Sequence, residues 1–165
     1  MELDELLNTR EFLNLATADR RGRPNAAPKF LLKSEKRVVY LIDYSYGRTI
    51  DNLRVNANAS LCFMDLYNLQ GYRLNGRVEL LESGRDFDRL SAEVASRVVK
   101  LSADRVLEGM RTGKKHDHFE LEIPDKFVVL KFVIEEVSKI GTRGDFYRES
   151  LGRRTPLKRR GRTIR

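Results

Sequence analysis

Hydrophobic positions along this chain alternate with polar ones, or run together as β-branched stretches, in six separate segments. Alternation is typical of half-buried strands, and continuous apolar runs are typical of strands buried on both faces. The predicted strands lie at residues 12–18, 25–32, 37–43, 60–66, 71–82 and 127–140. Proline cannot donate to a ladder, so we expect Pro28 at an irregular or unpaired position of the second strand.

Helical periodicity predicts three further elements. Leucines at positions 3, 6 and 7 indicate a short amphipathic opening helix, and residues 48–55 form a second short helix. Apolar residues recur every three to five positions from 86 to about 110, which predicts a long helix with a break near Ser102. Gly71 and Gly76, inside the fifth strand, predict bulges, corners or the close approach of a ligand.

The order of these elements predicts a mainly β fold. Near-consecutive hairpins, one short helix and a long helical excursion before the last strand describe a six-stranded antiparallel β-barrel of Greek-key type with peripheral α-helices. A doubly wound parallel sheet requires more regular strand and helix alternation. The sequence also has no Gly-rich dinucleotide fingerprint, no GxxxxGK loop and no CxxC pair.

Composition divides the chain into a domain at 1–140 and a basic C-terminal tail at 141–165. The length of 165 residues and the 41% hydrophobic content suit one folded domain. The formal net charge is +8, but the tail holds nine basic and two acidic residues, which leaves 23 basic and 22 acidic residues in the domain. The domain is therefore almost neutral, and the basic character belongs to the tail.

The predicted compartment is the cytoplasm. Cys62 is the single cysteine, which excludes an intrachain disulfide, and we expect it in the core. The acidic N-terminus lacks the basic start and apolar run of a secretory signal, and no apolar stretch approaches the roughly 20 residues of a membrane helix. The sequence thus predicts a soluble protein without a membrane partner.

A possible anion site lies where the third strand passes into the short helix. Gly47 ends the strand, and Arg48 and Thr49 then occupy the first helical turn, where free N–H groups and the helix dipole favour a phosphate. A guanidinium fork and a hydroxyl suit a phosphomonoester. The alternative is an ordinary capped surface helix with a solvated arginine.

Three segments together resemble the flavin-binding split-barrel family typified by pyridoxamine 5′-phosphate oxidase. They are LATADRRGRPNAAPKF, VVYLIDYSYGRTIDNLRVNANASLCF and QGYRLNGRVEL, and the resemblance covers roughly residues 10–140. It implies a split barrel that forms a homodimer, with FMN in each of two clefts between the subunits. It also implies an FMN-dependent oxidoreductase that acts on a small-molecule substrate or takes electrons from a nicotinamide donor.

The resemblance assigns residues to both ends of the flavin. Arg48 and Thr49 match positions that bind the phosphate, Lys29 matches one that faces the phosphate or ribityl chain, and Asn52 matches one that braces the helix against the cleft. Asp43 and Tyr44 match the strand end near the ring. Gln70 and Gly71 match the turn that approaches the ring, often from the other subunit. Tyr72 and Arg73 follow that turn into the site.

One departure from the family pattern affects the expected activity. True pyridoxamine-phosphate oxidases carry a C-terminal Arg/His substrate pair, and the basic ending GDFYRESLGRRTPLKRRGRTIR offers no convincing equivalent. A flavin role other than vitamin oxidation is therefore expected. Relatives that reduce flavin, use deazaflavin or bind haem remain alternatives at this stage.

Two further features have competing interpretations. His116-Asp117-His118 could contribute to a metal site, but no third ligand has a helpful spacing, so we expect a solvated loop and no metal. The tail could bind nucleic acid or an anionic membrane as a polycation, which would make the protein a non-enzymatic nucleic-acid-binding small barrel. Alternatively Phe146, Tyr147 and Leu151 anchor the tail on the partner subunit and place arginines near the cofactor, which we favour.

Overall fold

The structure is a computed structural model that describes residues 3–113 and 126–151. Its helices are α1 (Leu3–Asn8), α2 (Arg48–Val55) and α3 (Arg85–Thr112). Its strands are β1 (Phe12–Ala18), β2 (Pro24–Glu35), β3 (Val38–Asp43), β4 (Asn58–Asp65), β5 (Gln70–Leu81), β6 (Val128–Ile140) and β7 (Phe146–Ser150).

Six of the strands close into an antiparallel barrel. The order in the sheet is β3-β2-β1-β4-β5-β6-β7, and a further ladder between β3 and β6 joins the ends of the first six. Strand β7 extends the sheet beyond the barrel along the second half of β6, from Glu136 to Ile140. The predicted six-stranded antiparallel barrel with outer helices is therefore confirmed.

The barrel wall opens where β2 separates from β3. The ladder between these strands runs from the Glu35–Val38 pair to the Phe30–Ile42 pair, with a register shift between Leu31 and Lys33. Before Phe30, β2 pairs with β1 and with no other strand among the described residues. The first half of β2 thus has a free edge, which faces the start of α2.

Two apolar layers hold the fold together. The barrel interior is filled by buried side chains such as Leu15, Leu41, Leu61, Leu74 and Phe132. A second layer lies outside the barrel, where Leu90, Val94 and Val98 of α3 pack on Leu32, Tyr40, Ile42 and Val129. Helix α3 therefore covers the outer face of β2, β3 and the first half of β6.

Most predicted elements are confirmed, with differences that have physical causes. Helix α3 is unbroken at Ser102, whose hydroxyl donates to the Val98 carbonyl oxygen one turn earlier (3.0 Å) and so is satisfied within the helix. Cys62 is exposed rather than in the core, since it alternates with the inward-facing Leu61. Pro28 stays in register with Asn14, on the stretch of β2 that has a free edge, and the bulge lies further on.

The sequence prediction missed one strand. Phe146–Ser150 was assigned to the tail, but it pairs with β6 in register, so part of the tail belongs to the folded sheet. All five of its residues are exposed, which explains why the sequence shows no apolar alternation there. In the two described ranges, no helix is long and apolar enough to cross a membrane.

Replacing Gly76 with alanine is expected to destabilise the barrel by about 2 kcal/mol or more. Gly76 lies at a register shift of the β5–β6 ladder, and a Cβ there would come within 2.0 Å of the Val133 carbonyl oxygen. The control is Gly71→Ala in the same strand, whose Cβ would meet the Met64 sulfur at an ordinary 3.5 Å. Urea unfolding measures both, and an equal loss in the two variants would contradict this account.

Candidate functional site

A hollow of about 380 Å³ lies at the N-terminal end of α2, beside the free edge of β2. We name it the anion hollow. Polar side chains from the β1–β2 turn, from the start of β2 and from α2 surround it. Its lining consists of Asp19, Arg23, Pro24, Asn25, Arg48, Asp51, Asn52 and Val55.

The first turn of α2 presents donors to the anion hollow. Gly47 occupies the N-cap and offers no capping side chain, and the first helical bonds run from the N–H groups of Ile50 and Asp51 to the Gly47 oxygen (2.9 and 3.2 Å). The N–H groups of Arg48 and Thr49 precede these bonds and stay outside the helix's own ladder. The exposed Arg48 has no carboxylate within ion-pair distance in the described part of the chain.

Thr49 and Asn52 connect α2 to the strands. Thr49 is only 3% exposed, and its hydroxyl accepts a hydrogen bond from the Asn25 amide (3.2 Å). The buried Asn52 amide donates to the Thr17 hydroxyl on β1 (3.0 Å). This hydrogen bond ties α2 to β1 of the barrel.

The acidic and basic side chains that line the anion hollow are equal in number. Asp19 pairs with Arg23 (2.7 Å), and the backbone N–H and side chain of Arg23 are the main groups that hold the pKa of Asp19 below its usual value. Of the charged side chains in the lining, Arg48 and Asp51 are left outside that pair. An anion here would depend on directed donors rather than on net charge.

A second hollow of about 380 Å³ also borders the opening of the barrel wall. It lies between β2, the end of β3 and α3. We name it the apolar hollow, because most of its lining side chains carry no charge. Helix α3 closes one side and the Phe12–Phe30 edge-to-face pair (5.5 Å) lies on another. Its lining consists of Phe12, Ala27, Pro28, Lys29, Phe30, Ile42, Asp43, Tyr44, Ser45, Val98, Leu101 and Arg105.

A buried ion pair lines the apolar hollow. Lys29 Nζ lies 2.7 Å from Asp43 Oδ2, and the other Asp43 oxygen accepts from the backbone N–H (2.8 Å) and hydroxyl (2.6 Å) of Ser45. Burial raises the pKa of Asp43, but Lys29 and Ser45 together outweigh it and bring the pKa below its ordinary value of 3.8. The carboxyl group is therefore ionised at neutral pH.

Aromatic residues surround the exit from β3. The Tyr44 ring contacts Phe127 edge to face (6.2 Å), and Phe127 contacts Phe87 of α3 (5.4 Å). Burial raises the pKa of Tyr44, so its hydroxyl keeps its proton at neutral pH. Tyr46 turns the chain toward α2 with a positive φ of 45° and donates its hydroxyl to the Phe127 carbonyl oxygen (3.3 Å).

The segment Gln70–Arg73 lies outside both hollows of its own chain. The Tyr72 ring stacks on Phe63 (4.9 Å), and its hydroxyl donates to the Gln70 side-chain oxygen (3.0 Å). Burial, and then the Asp65 carboxylate, raise the pKa of Tyr72. This segment therefore lies apart from the other predicted site residues.

The structure thus groups the predicted site residues in three places. Arg48 and Asn52 line the anion hollow, with Thr49 bonded to Asn25 beside it, and Lys29, Asp43 and Tyr44 line the apolar hollow. The segment Gln70–Arg73 forms the third group, outside both hollows. The sequence analysis missed further lining residues, because they depend on how strands and helices meet: Phe12, Arg23, Asn25, Ser45 and Arg105.

The His116-Asp117-His118 motif lies outside the described residues, so its prediction as a solvated loop stays a prediction. Across 3–113 and 126–151, no group of three histidine, cysteine, aspartate or glutamate side chains could hold a metal ion.

Asp43→Asn is expected to flatten the acid dependence of stability. Because the folded-state pKa of Asp43 is lowered, its ionised form stabilises the fold above the ordinary value of 3.8, and this contribution is lost as the pH falls through the lower folded pKa. Urea unfolding from pH about 6 to about 2 should show a shallower decline in Asp43→Asn than in the wild type. The control is Asp104→Asn on the exposed side of α3; equal slopes in Asp43→Asn and the wild type would contradict the assignment.

Comparison with known proteins relates this fold to a family. The family model described as pyridoxamine 5'-phosphate oxidase matches residues 1–141. A comparison with curated protein sequences gives no match.

Solved structures share the fold at low sequence identity. A Clostridium acetobutylicum protein related to general stress protein 26 of B. subtilis (pyridoxinephosphate oxidase family) is 16% identical, with a TM-score of 0.62 over 89% of this chain and 90% of that one. A pyridoxamine 5'-phosphate oxidase-related, FMN binding protein from Nostoc punctiforme is 17% identical, with a TM-score of 0.52 over 91% and 92% of the two chains. A heme binding protein from Mycobacterium smegmatis is 19% identical, with a TM-score of 0.56 over 87% and 54%.

The family model covers most of the chain, and the closed six-stranded barrel agrees with the fold of these structures. The chain belongs to the pyridoxamine 5'-phosphate oxidase family.

Proposed function

We propose that this protein binds FMN at the opening of the barrel and acts as an FMN-dependent oxidoreductase. The observation that carries the proposal is the first turn of α2, where the Arg48 guanidinium, which has no ion-pair partner among the described residues, and uncapped N–H groups adjoin the anion hollow. Helix N-termini bind phosphates through such donors. Family membership, and the FMN-binding description of the Nostoc punctiforme neighbour, support the choice of cofactor.

The donor set fits the two ends of FMN. The phosphate would be held by Arg48, the first-turn N–H groups and the Thr49 and Asn25 side chains. The flat ring would be held by the apolar hollow, where Lys29 and the protonated Tyr44 hydroxyl supply hydrogen-bond donors among apolar walls. The free edge of β2 runs from Asn25, which lines the first hollow, to Lys29, which lines the second.

In this proposal the protein binds and orients, and bound FMN supplies hydride or electron transfer. Asn52 keeps α2 in place through Thr17, so that the phosphate donors have a fixed position. Helix α3 and the Phe12–Phe30 pair exclude water from one side of the apolar hollow. The reaction requires no side-chain nucleophile. The organic substrate is a small molecule, and a nicotinamide is the proposed electron donor.

A homodimer is the second part of the proposal. Met64, Gly71, Ile140 and Phe146 are in register across β4, β5, β6 and β7, and form a row on the outer face that α3 leaves uncovered. Met64 is 51% exposed and Phe146 is 54% exposed. A second copy seated here would bury this row and could bring Gln70 and Gly71 toward the partner's opening.

Arg48→Ala is expected to weaken FMN binding about 10- to 100-fold, since charge-assisted hydrogen bonds contribute about 1.5–3 kcal/mol. Riboflavin, which has no phosphate, should bind the variant and the wild type equally. Fluorescence titration with both flavins measures the effect. The matched control is Arg54→Ala on the same helix, where Arg54 pairs with Glu82 (2.9 Å). An equal loss of riboflavin affinity in Arg48→Ala would contradict a phosphate role.

Haemin is added as a competitor of FMN in the same titration, because the mycobacterial neighbour is described as heme binding. We expect FMN to bind and haemin not to displace it. Haemin binding that excludes FMN would favour a haem protein on this fold instead. The sequence has two histidines, so His116→Ala and His118→Ala would then test haem ligation.

Met64→Glu is expected to convert the dimer to a monomer, because it places a charge at the β4 end of the apolar row, in the proposed interface. Light scattering coupled to size exclusion measures the mass, and circular dichroism checks the fold. The control is Leu107→Glu, which puts the same charge on an exposed apolar site of α3. A wild-type monomer, or dimers of both variants, would contradict this interface.

A further inference from the structure

The Lys29–Asp43 pair lies at the point where the barrel wall parts. Phe30 and Ile42 form the last pair of the β2–β3 ladder, so Lys29 and Asp43 occupy the next opposing positions, where no further backbone pairing is made between the two strands in the described chain. Their side chains bridge the strands at 2.7 Å instead. An ion pair therefore stands where an apolar pair would extend the core.

Burial makes this choice of residues costly for stability alone. Lys29 is 6% exposed and Asp43 is 1% exposed. Replacing a buried ion pair with apolar residues of similar volume is often neutral or stabilising, since removing two charges from water offsets their attraction. The pair thus calls for an explanation beyond closing the gap between two strands.

The two members differ in their remaining hydrogen-bonding capacity. Asp43 has Lys29 at ion-pair distance from one oxygen, and its other oxygen accepts two hydrogen bonds from Ser45. A lysine ammonium has three N–H donors, and Asp43 is the one ion-pair partner of Lys29 within the described ranges, which leaves N–H donors of Lys29 for a further acceptor. Lys29 lines the apolar hollow, so these donors are available to an acceptor bound there.

We propose that Lys29 is a tuning residue for the bound flavin, and that Asp43 positions Lys29 and limits its effect. The inference rests on the proposed function, since it requires FMN with its ring in the apolar hollow. Reduction of flavin by two electrons and one proton adds one negative charge. A nearby cation in an apolar site favours the more negative form, and a nearby anion disfavours it.

The test measures the midpoint potential of the FMN-loaded protein by dithionite titration with a reference dye. Lys29→Met should lower the potential, because it removes the cation, and Asp43→Asn should raise it, because it removes the anion. The control is Lys33→Met, four residues along β2, where Lys33 pairs with Glu93 of α3 (2.7 Å) and should leave the potential unchanged.

The double variant Lys29→Met/Asp43→Asn covers the case in which one single variant fails to fold. It leaves no unpaired buried charge, so it should fold and show a potential between those of the single variants, close to the wild type. FMN spectra and affinities are measured first in every variant. If the wild-type protein does not bind FMN, the proposed function is overturned.

With FMN bound, shifts of opposite sign in the two single variants support the tuning role. Unchanged potentials, or shifts in the same direction, would overturn it while leaving FMN binding in place. A merely structural ion pair would lower the melting temperature in both variants and would not move the potential in opposite directions.

Discussion

The parting of β2 from β3 beyond the Phe30–Ile42 pair is the constraint on which the rest of the structure depends. If the ladder continued, the wall would close and the free edge of β2 would be lost. Because it stops, the chain leaves β3 through Asp43, turns at Tyr46 and begins α2 opposite the start of β2. The anion hollow and the apolar hollow both border this opening, and each takes side chains from both sides of it.

The two hollows differ in chemistry for reasons that lie in their elements. A helix start provides N–H groups and an arginine to the first, which suits a phosphate. The second lies between the barrel and α3, so uncharged side chains make up most of its lining, and the buried Lys29–Asp43 ion pair acts there in low-dielectric surroundings. FMN combines a dianion with a flat heteroaromatic ring, and this pairing of environments is why we propose it over a ligand with a single character.

Much of the fold could be predicted from the sequence, because strand alternation and helix periodicity are local properties. The bounds of β1 and α2 match the predicted 12–18 and 48–55, and the bulge glycine at 76 follows from a glycine inside a strand pattern. Strand β7 could not be found in this way, since its exposed residues carry no apolar alternation. The lining roles of Asn25 and Arg105 depend on contacts between distant elements, and Cys62 was assigned to the core because its apolar neighbours concealed the alternation.

Binding of FMN at the opening is tested most directly by the visible spectrum of the purified protein after incubation with excess FMN and desalting. We expect a retained flavin spectrum with about one FMN per chain, shifted from that of free FMN by the apolar surroundings of the ring. A colourless protein that retains no flavin under these conditions would contradict it.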